Sequence, residues 1–201
     1  MLPRAIRMSD SAFKFVERAL AGDSTAFDEL VLLHRPNIVR FIDLLIRDAD
    51  EAESLAQETL TRAFAGLADF NDSLPLGPWL RGIALNLCRN HLRARKRHAK
   101  PIAPEQLGQA AAPEGRRQGV LSGILRREQD EQAHAAIRQL PALFREAFVL
   151  HFIDEMDYAQ ISEITGVAAG TLRVRAHRAR ALLRQSLGSV VDTWLRQAGS
   201  S

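Results

Sequence analysis

Residues 158–184, with the sequence YAQISEITGVAAGTLRVRAHRARALLR, carry the most specific pattern in this 201-residue chain. The first half has the spacing of a short helix with Ile161 and Ile164 facing inward. Gly166 then provides the positive φ that a tight turn requires. A second helix is predicted to begin near Gly170, with Thr171 as its cap or in its first turn. The pattern therefore predicts two helices joined by a glycine-containing turn.

The second of these helices separates an apolar stripe from a basic side when it is placed on a helical wheel. The apolar stripe consists of Leu172, Ala176, Ala179 and Leu183. The basic side chains around it are Arg173, Arg175, His177, Arg178, Arg180 and Arg184, and no acidic residue occurs between positions 171 and 184. An arginine-rich helix alone is often only a solvated surface. Together with the preceding helix and turn, however, it forms the parts of a helix-turn-helix whose second helix enters the DNA major groove.

The composition of the whole chain favours packed helices in a reducing compartment. Hydrophobic residues make up 46% of the chain but aromatic residues only 6%, and no segment shows the alternation of a β-strand. The single cysteine, Cys88, excludes an intrachain disulfide. No secretory segment and no apolar run near 18 residues is present, so we expect a cytoplasmic protein without membrane insertion.

Charge is distributed unevenly along the chain. Residues 43–58 contain six acidic side chains and one basic one, whereas residues 89–100 contain six basic side chains and no acid. This segregation predicts one surface for a polyanion and a different surface for a basic protein partner.

Helical periodicity and loop composition predict an all-α chain with two small helical domains. A flexible N-terminus over residues 1–11 precedes a first domain over 12–97. Its apolar helix with Ile38, Phe41 and Ile42 is expected at the centre of the core, and a neighbouring helix from Asp48 to Gly66 is expected to point Phe64 inward. Proline, glycine and small residues mark a linker over 98–128. A second domain over 129–190 contains the helix-turn-helix, and residues 191–201 form a C-terminal tail.

Five stretches resemble, in the same order, conserved stretches of bacterial RNA polymerase sigma factors of the sigma-70 family, in the extracytoplasmic-function (ECF) class. They are AGDSTAFDELVLLHRPNI at 21–38, DADEAESLAQETLTRAF at 48–64, FNDSLPLGPWLRGIALNLCRNHLRARKR at 70–97, LPALFREAFVLHFIDEMDYAQISEITGV at 140–167 and GTLRVRAHRARALLR at 170–184. The resemblance implies a sigma-2-like bundle and a sigma-4-like helix-turn-helix domain. It also implies a protein that binds core RNA polymerase, recognises the −10 and −35 promoter elements and opens the promoter.

The same resemblance assigns candidate contacts to three surfaces. The helix near residue 50 is implied to dock on the β′ clamp through Asp50, Glu51, Glu53, Gln57, Glu58 and Arg62, with the β flap as a further contact of the polymerase. The −10 element is implied to contact Phe70, Asn71, Asp72, Ser73, Trp79, Asn86, Arg89, Arg93, Arg95, Lys96 and Arg97. The −35 element is implied to contact Thr171, Arg173, Arg175, His177, Arg178 and Arg180. Val174 stands where the family often has serine, which with His177 affects the preferred −35 sequence.

Each of these assignments has a chemical basis. The loop at 70–77 lies where the family holds an extruded base, which hydrogen bonds and aromatic stacking would stabilise. Basic side chains after Asn86 suit phosphates, which fix register without reading sequence. Arginines on the second helix of the helix-turn-helix suit guanine. The resemblance also implies an anti-sigma factor as a partner.

Two other classes of function remain open from the sequence. A stand-alone helix-turn-helix regulator would bind a palindromic site without polymerase, but its sensing domain would need neither the acidic nor the basic helix. An enzyme is disfavoured because the six histidines lack metal-ligand spacing and no glycine-rich phosphate loop occurs. Cys88 lies on an apolar face, as a core residue would. No cofactor and no metal is expected.

Overall fold

The computed structural model describes residues 23–70, 75–98 and 121–188, together with Arg18, Val191 and Trp194. These ranges contain helices and no strand, which confirms the all-α prediction. The helices are α1 Ser24–Ile46, α2 Ala49–Ala65, α3 Leu76–His98, α4 Leu121–Gln139, α5 Ala142–Phe148, α6 Tyr158–Thr165 and α7 Ala169–Leu187. A 3-10 turn at Leu67–Asp69 follows α2, and a π-helical turn at Val149–Ile153 follows α5.

Some of the predicted segments lie outside the described residues. They are the N-terminus over 1–11, linker residues 99–120, the loop residues Asn71, Asp72 and Ser73, and the C-terminal tail over 191–201 apart from two residues. Helix α4 begins at Leu121, so the last residues of the predicted linker, 121–128, are helical.

Helices α1, α2 and α3 pack into a first bundle around α1. The Asp23 side chain caps α1 by accepting from the backbone N–H groups of Thr25 and Ala26. Hydrogen bonds from Thr25 and Arg18 lower the pKa of the Asp23 carboxyl to about 2. Ile38, Phe41 and Ile42 are buried, so the predicted central helix is confirmed.

The inward position predicted for Phe64 is wrong, because its side chain is 57% exposed. The buried side chains of α2 run from Ala52 to Ala63 along one side of the helix. Phe64 lies about 110° around the wheel from the centre of that side, which places it at the edge next to α1. A single apolar residue at the margin of a stripe does not show which way it turns.

Helices α4 to α7 form a second bundle that contains the helix-turn-helix. Asp157 caps α6 in a capping box with Gln160, and α6 ends at Gly166, whose φ of 68° is left-handed. Helix α7 then begins at Ala169. Its stripe of Leu172, Ala176, Ala179 and Leu183 is buried, as predicted.

Two residues of the stretch predicted as a C-terminal tail, Val191 and Trp194, are buried. The Trp194 Nε1–H donates to Asp130 Oδ1 at 2.8 Å, and the ring meets His134 edge-on at 5.9 Å between centroids. The second bundle therefore includes packing from beyond residue 190 that the sequence pattern did not indicate.

The two bundles are in contact with each other. Helix α3 packs against α6, and α1 packs against α4 and α5. At the α3–α6 contact, a Cβ on Gly82 would lie 3.4 Å from Cβ and Cγ2 of Ile164. There is room at Gly82 for a methyl group and for little more.

Candidate protein-binding and nucleic-acid surfaces

The acidic side of α2 is largely solvent-accessible and linked by ion pairs to its surroundings. Glu53 meets Arg35 at 2.6 Å, and Glu58 meets Arg62 at 2.6 Å one turn along the helix. Glu51 is half-buried and lies 3.2 Å from His91 Nδ1. The exposed or half-buried members of the predicted set are Asp50, Glu51, Glu53, Gln57, Glu58 and Arg62. The structure therefore brings all six to the outer side of α2.

An apolar groove of about 600 Å³ runs beside this acidic side, between α1 and α2. Its lining residues are Asp28, Val31, Arg35, Gln57, Leu60, Thr61 and Phe64. Leu32, on the adjoining part of α1, is 75% exposed. Exposed apolar side chains rimmed by charge are typical of a protein-binding surface. Phe64 and Leu32 belong to this surface, although the sequence did not place them there.

Helix α3 distributes the predicted −10 residues over two sides. Trp79, Asn86, Arg93 and Arg97 fall within about 40° of one another on one side, although Arg93 also lines the cavity between the bundles. Arg89 and Lys96 lie about a quarter turn away, on the side that faces the second bundle. Asn86, Arg93, Arg95, Lys96 and Arg97 are exposed.

The segregation of charge in the sequence suggested two well-separated surfaces. In the structure the acidic and basic segments lie next to each other. Arg95 of α3 lies 3.9 Å from Asp48 at the start of α2, and His91 meets Glu51. The acidic start of α2 therefore adjoins the basic end of α3, because the two helices pack side by side.

Phe70 and Trp79 contact each other rather than standing apart in solvent. Their ring centroids are 5.0 Å apart with an angle of 58° between the rings, and both are half-buried against the first bundle. Phe70 follows the 3-10 turn, and Trp79 lies in the first turn of α3. A base could stack on the parts of these two rings that remain accessible to solvent.

Helix α7 exposes four of its six predicted −35 residues. Thr171, Arg173, His177 and Arg178 are exposed, with Val174 between them. The Arg173 guanidinium lies 5.4 Å from the centroid of the Tyr158 ring, and that of Arg180 lies 5.7 Å from the Phe152 ring. These cation–π contacts orient two arginines along the edge of the helix. The sequence did not indicate Tyr158 and Phe152 as their supports.

Arg175 takes a different position from the other arginines of α7. It is half-buried and lines a cavity of about 430 Å³ between the bundles, together with Arg89, Arg93 and Cys88. Cys88 itself is buried, and burial raises the pKa of its thiol to about 12, as suits a core residue rather than a nucleophile.

Among the described residues, three ion pairs cross from one bundle to the other. Arg89 of α3 meets Glu146 of α5 at 2.5 Å, and Arg138 of α4 meets Asp43 of α1 at 2.5 Å. The third joins Arg81 of α3 to Asp154, at 2.6 Å. Their partners lie 57 to 95 residues apart in sequence, so no local pattern could have indicated them.

Within the described ranges, no group of three or more histidine, cysteine, aspartate or glutamate side chains could hold a metal ion. The same ranges contain no helix long and apolar enough to cross a membrane.

Comparison with known proteins matches both bundles to one family. Residues 30–98 match the family model described as Sigma-70 region 2, and residues 130–183 match Sigma-70, region 4. The chain is 33% identical over 179 residues to the RNA polymerase sigma-H factor of Pseudomonas aeruginosa, covering 87% of this chain and 92% of that one. This chain belongs to the sigma-70 family of RNA polymerase sigma factors.

Further relatives place this sigma factor in the ECF class. It is 29% identical over 185 residues to the ECF sigma factor SigW of Bacillus subtilis, covering 87% of this chain and 95% of that one. It is 31% identical over 172 residues to the ECF sigma factor SigM of Mycobacterium tuberculosis, covering 84% and 81%. An ECF sigma factor acts in promoter recognition at transcription initiation and is not an enzyme, so the leading interpretation of the sequence is confirmed over the stand-alone regulator.

Two solved structures resemble this sigma factor. The sigma factor RpoE of Bartonella quintana, crystallised with the anti-sigma factor NepR, has a TM-score of 0.62 and 28% identity, covering 79% of this chain and 94% of that one. CnrH, solved with the cytosolic domain of CnrY, has a TM-score of 0.64 and 22% identity, covering 90% and 99%, and supports the fold alone.

Proposed function

We propose that this sigma factor divides its work among three surfaces: α2 binds core RNA polymerase, α3 contacts the −10 element and α7 reads the −35 element. The observation that supports this division best is the outward side of α7. There Arg173, His177 and Arg178 project from a capped, tightly turned helix-turn-helix whose opposite side is buried. The sigma-2-like module then lies within residues 12–97, and the sigma-4-like module includes α4 from Leu121 and the packing residues Val191 and Trp194.

The outer side of α7 can read bases. A guanidinium donates two parallel hydrogen bonds to guanine O6 and N7, which is worth about 1–3 kcal/mol against the wrong base. Val174 lies opposite the buried stripe, and His177 and Arg178 lie about 50° to either side of it, which suits both to base edges. Arg173 and Arg180 are held to the side over aromatic rings, which suits them to the phosphates along the groove.

The outer side of α3 can hold a DNA strand. Arg93 and Arg97 repeat at one-turn spacing beside Asn86, so their charges follow a single line along the helix. The pair Phe70 and Trp79 lies at the start of that line and offers aromatic surface for a base. We assign Asn71, Asp72 and Ser73 to the pocket for an extruded base on the strength of the family resemblance.

The acidic side of α2 and the groove beside it suit a protein partner. Glu53, Gln57 and Glu58 provide charge and hydrogen bonds, while Phe64 and Leu32 provide accessible apolar surface. We assign this surface to the β′ clamp of core RNA polymerase and expect the second bundle to meet the β flap. An anti-sigma factor is a further proposed partner, as one is present with the similar RpoE structure. All of these interactions belong in the cytoplasm.

The division of surfaces can be tested by binding to purified core RNA polymerase. Phe64→Ala with Gln57→Ala should weaken capture of the chain by core polymerase at least tenfold, because both line the proposed contact groove. Glu131→Ala is the control, since Glu131 is exposed on the second bundle. If the double variant and the Glu131→Ala control lost core binding equally, or if neither lost it, the assignment of α2 would be contradicted. Specific binding of the free chain to a palindromic site would instead support the stand-alone regulator.

A further inference from the structure

In the docked chain, in which the two bundles are in contact, a cavity of about 430 Å³ remains between them. Small-molecule sites in proteins commonly have volumes of about 300–1,000 Å³. Both bundles contribute apolar side chains to its wall, namely Leu45, Leu85 and Leu92 from the first and Ala142, Leu143 and Val167 from the second. A space of this size with such a wall suits a small molecule that has an apolar body.

The charged part of the same lining is strongly basic. Arg89, Arg93, Arg145 and Arg175 line the cavity together with a single carboxylate, that of Glu146, so the lining carries a net charge of +3. Glu146 accepts from Arg89, from Nε at 3.1 Å and from Nη2 at 2.5 Å. Within the part of the chain that the structure describes, the other three arginines form no ion pair. The cavity therefore has guanidinium groups that lack an anionic partner.

Arg145 is the most informative of these three arginines, because it is buried. It is 5% exposed and donates from Nη1 to the Arg138 carbonyl at 2.8 Å, while its buried Nε has no hydrogen-bond partner among the described residues. Burial, together with repulsion from Arg47, lowers the pKa of the Arg145 guanidinium to about 10. A buried cation without a counter-charge is destabilising, since nothing offsets the loss of its hydration. An anion in the cavity would supply the missing charge.

The other polar groups of the lining do not supply that charge. Cys88 remains a neutral thiol, because burial raises its pKa to about 12. The Thr165 hydroxyl donates to the Ile161 carbonyl at 2.6 Å and accepts from the Val167 N–H at 3.2 Å. Both groups are uncharged, and the one carboxylate of the lining is already paired with Arg89.

We propose that this cavity is a binding site for a small organic anion, whose carboxylate or phosphate group meets Arg145 and Arg175 and whose apolar body lies against the leucine side chains of the wall. The planar fork of a guanidinium fits a carboxylate and a phosphate alike, with paired N–H donors. The site is a property of the free chain and requires neither promoter DNA nor core polymerase.

The apolar wall favours an organic anion over a bare inorganic ion. Leu85 is fully buried, whereas Leu143 is 54% exposed and lies at the rim of the cavity. An apolar body would remove the accessible parts of this wall from water, which is favourable in proportion to the area covered. Phosphate alone would meet the arginines but would gain nothing from the leucines.

Isothermal titration calorimetry of the full chain at 0.1 M NaCl tests the class of ligand. Naphthyl phosphate should bind with a Kd at least tenfold lower than that of inorganic phosphate or of naphthol, because it alone has both the charged group and the body. Decanoate should likewise bind more tightly than acetate, and the tighter of the two organic anions identifies the preferred chemistry. Absence of binding by both organic anions, or equal affinity for naphthyl phosphate and inorganic phosphate, would overturn the proposal.

Loss of charge tests whether the ligand meets the buried arginine. Arg145→Met should weaken the binding of naphthyl phosphate at least tenfold, because the charge-assisted hydrogen bonds are lost. Arg178→Met is the matched control, since it removes an exposed arginine of α7 outside the cavity and should leave the affinity unchanged. Arg175→Met removes a half-buried cavity arginine and serves in place of Arg145→Met if that variant does not fold, as judged by circular dichroism.

Added bulk tests the location without altering charge. Ala142→Trp places an indole at the exposed rim of the cavity and should weaken the binding of naphthyl phosphate at least tenfold. Ala159→Trp adds the same bulk at an exposed position of α6 outside the cavity and should have no effect. Unchanged affinity in the folded arginine and Ala142→Trp variants, or an equal loss in the two controls, would overturn the assignment of the site to this cavity.

Discussion

Helices α3 and α7 are both basic and both proposed to contact DNA, yet their arginines have different surroundings. On α7, Arg173 and Arg180 lie over aromatic rings and Arg178 points outward. On α3, Arg81 and Arg89 meet carboxylates of the other bundle. An aromatic ring orients a guanidinium without neutralising its charge, whereas a carboxylate does both.

These arginines of α7 are therefore available to DNA, whereas two arginines of α3 already have carboxylate partners within the protein. Helix α7 keeps its outward charge in the docked chain, so its contribution to DNA binding should follow directly from which side chains are present. Helix α3 has to exchange protein partners for DNA partners on one of its sides. Its contribution should therefore depend on whether the bundles are docked.

The largest effect is expected on α7. Arg178→Ala should lower transcription from a cognate promoter by about 10- to 100-fold, because a bidentate base contact is worth about 1–3 kcal/mol. Transcription in vitro with core polymerase measures it. Arg178→Lys keeps the charge but loses the fork, and should recover little of the activity. Full activity of the lysine variant would mean that Arg178 contacts only phosphate.

A smaller and unequal effect is expected on α3. Arg93→Ala removes an exposed charge at the rim of the cavity between the bundles and should reduce the salt slope of DNA binding by about 1. Arg89→Ala should reduce the binding of the free chain by less, because Glu146 already holds that guanidinium. Fluorescence anisotropy at several salt concentrations distinguishes the two. Equal losses would show that the docked pair does not compete with DNA.

The fold of the α7 domain should depend on the cap of α6. Asp157→Ala removes the carboxylate that accepts from the Gln160 backbone N–H, leaving only the backbone half of the capping box, and should lower the free energy of unfolding by about 1 kcal/mol. Urea denaturation measures this change. Glu155→Ala, a nearby loss of charge without a cap, is the control. No difference between the two variants would contradict the role of the capping box.

The smallest effect is expected from pH. Burial lowers the pKa of His34 and of His134 below the usual value of about 6.5, so the native chain resists protonation where the unfolded chain accepts it. Stability should be complete near pH 7.5 and fall as the pH drops below about 6.5 towards 5.5. Urea midpoints at both pH values measure the change. His34→Gln should flatten the dependence, and an unchanged slope would exclude His34 as a source.

The sequence predicted the elements whose evidence is local. The buried stripe of α7, the turn at Gly166 and the central position of α1 follow from periodicity and from glycine chemistry, and all three are confirmed. The same reasoning placed the acidic side chains of α2 outward, and they are exposed or half-buried. Phe64 was misplaced because a residue at the margin of a stripe turns according to its neighbours in space.

The contacts between the bundles could not be predicted from sequence. Glu146 and Asp154 are ordinary acids on a segment read only for its apolar spacing, and their arginine partners lie far away in the chain. Trp194 was missed for a related reason, since a lone aromatic residue near a terminus has no period and its partner Asp130 lies 64 residues earlier. Pairings over such separations are determined by tertiary packing.

The most direct test of the division of labour is in vitro transcription with core RNA polymerase on a library randomised at both promoter elements, sequenced from the start sites. We expect Arg178→Ala to alter base preference only in the −35 element, and Asn86→Ala to alter it only in the −10 element. Altered preference in the same element for both variants, or no start-site selection by the wild-type chain, would contradict the account.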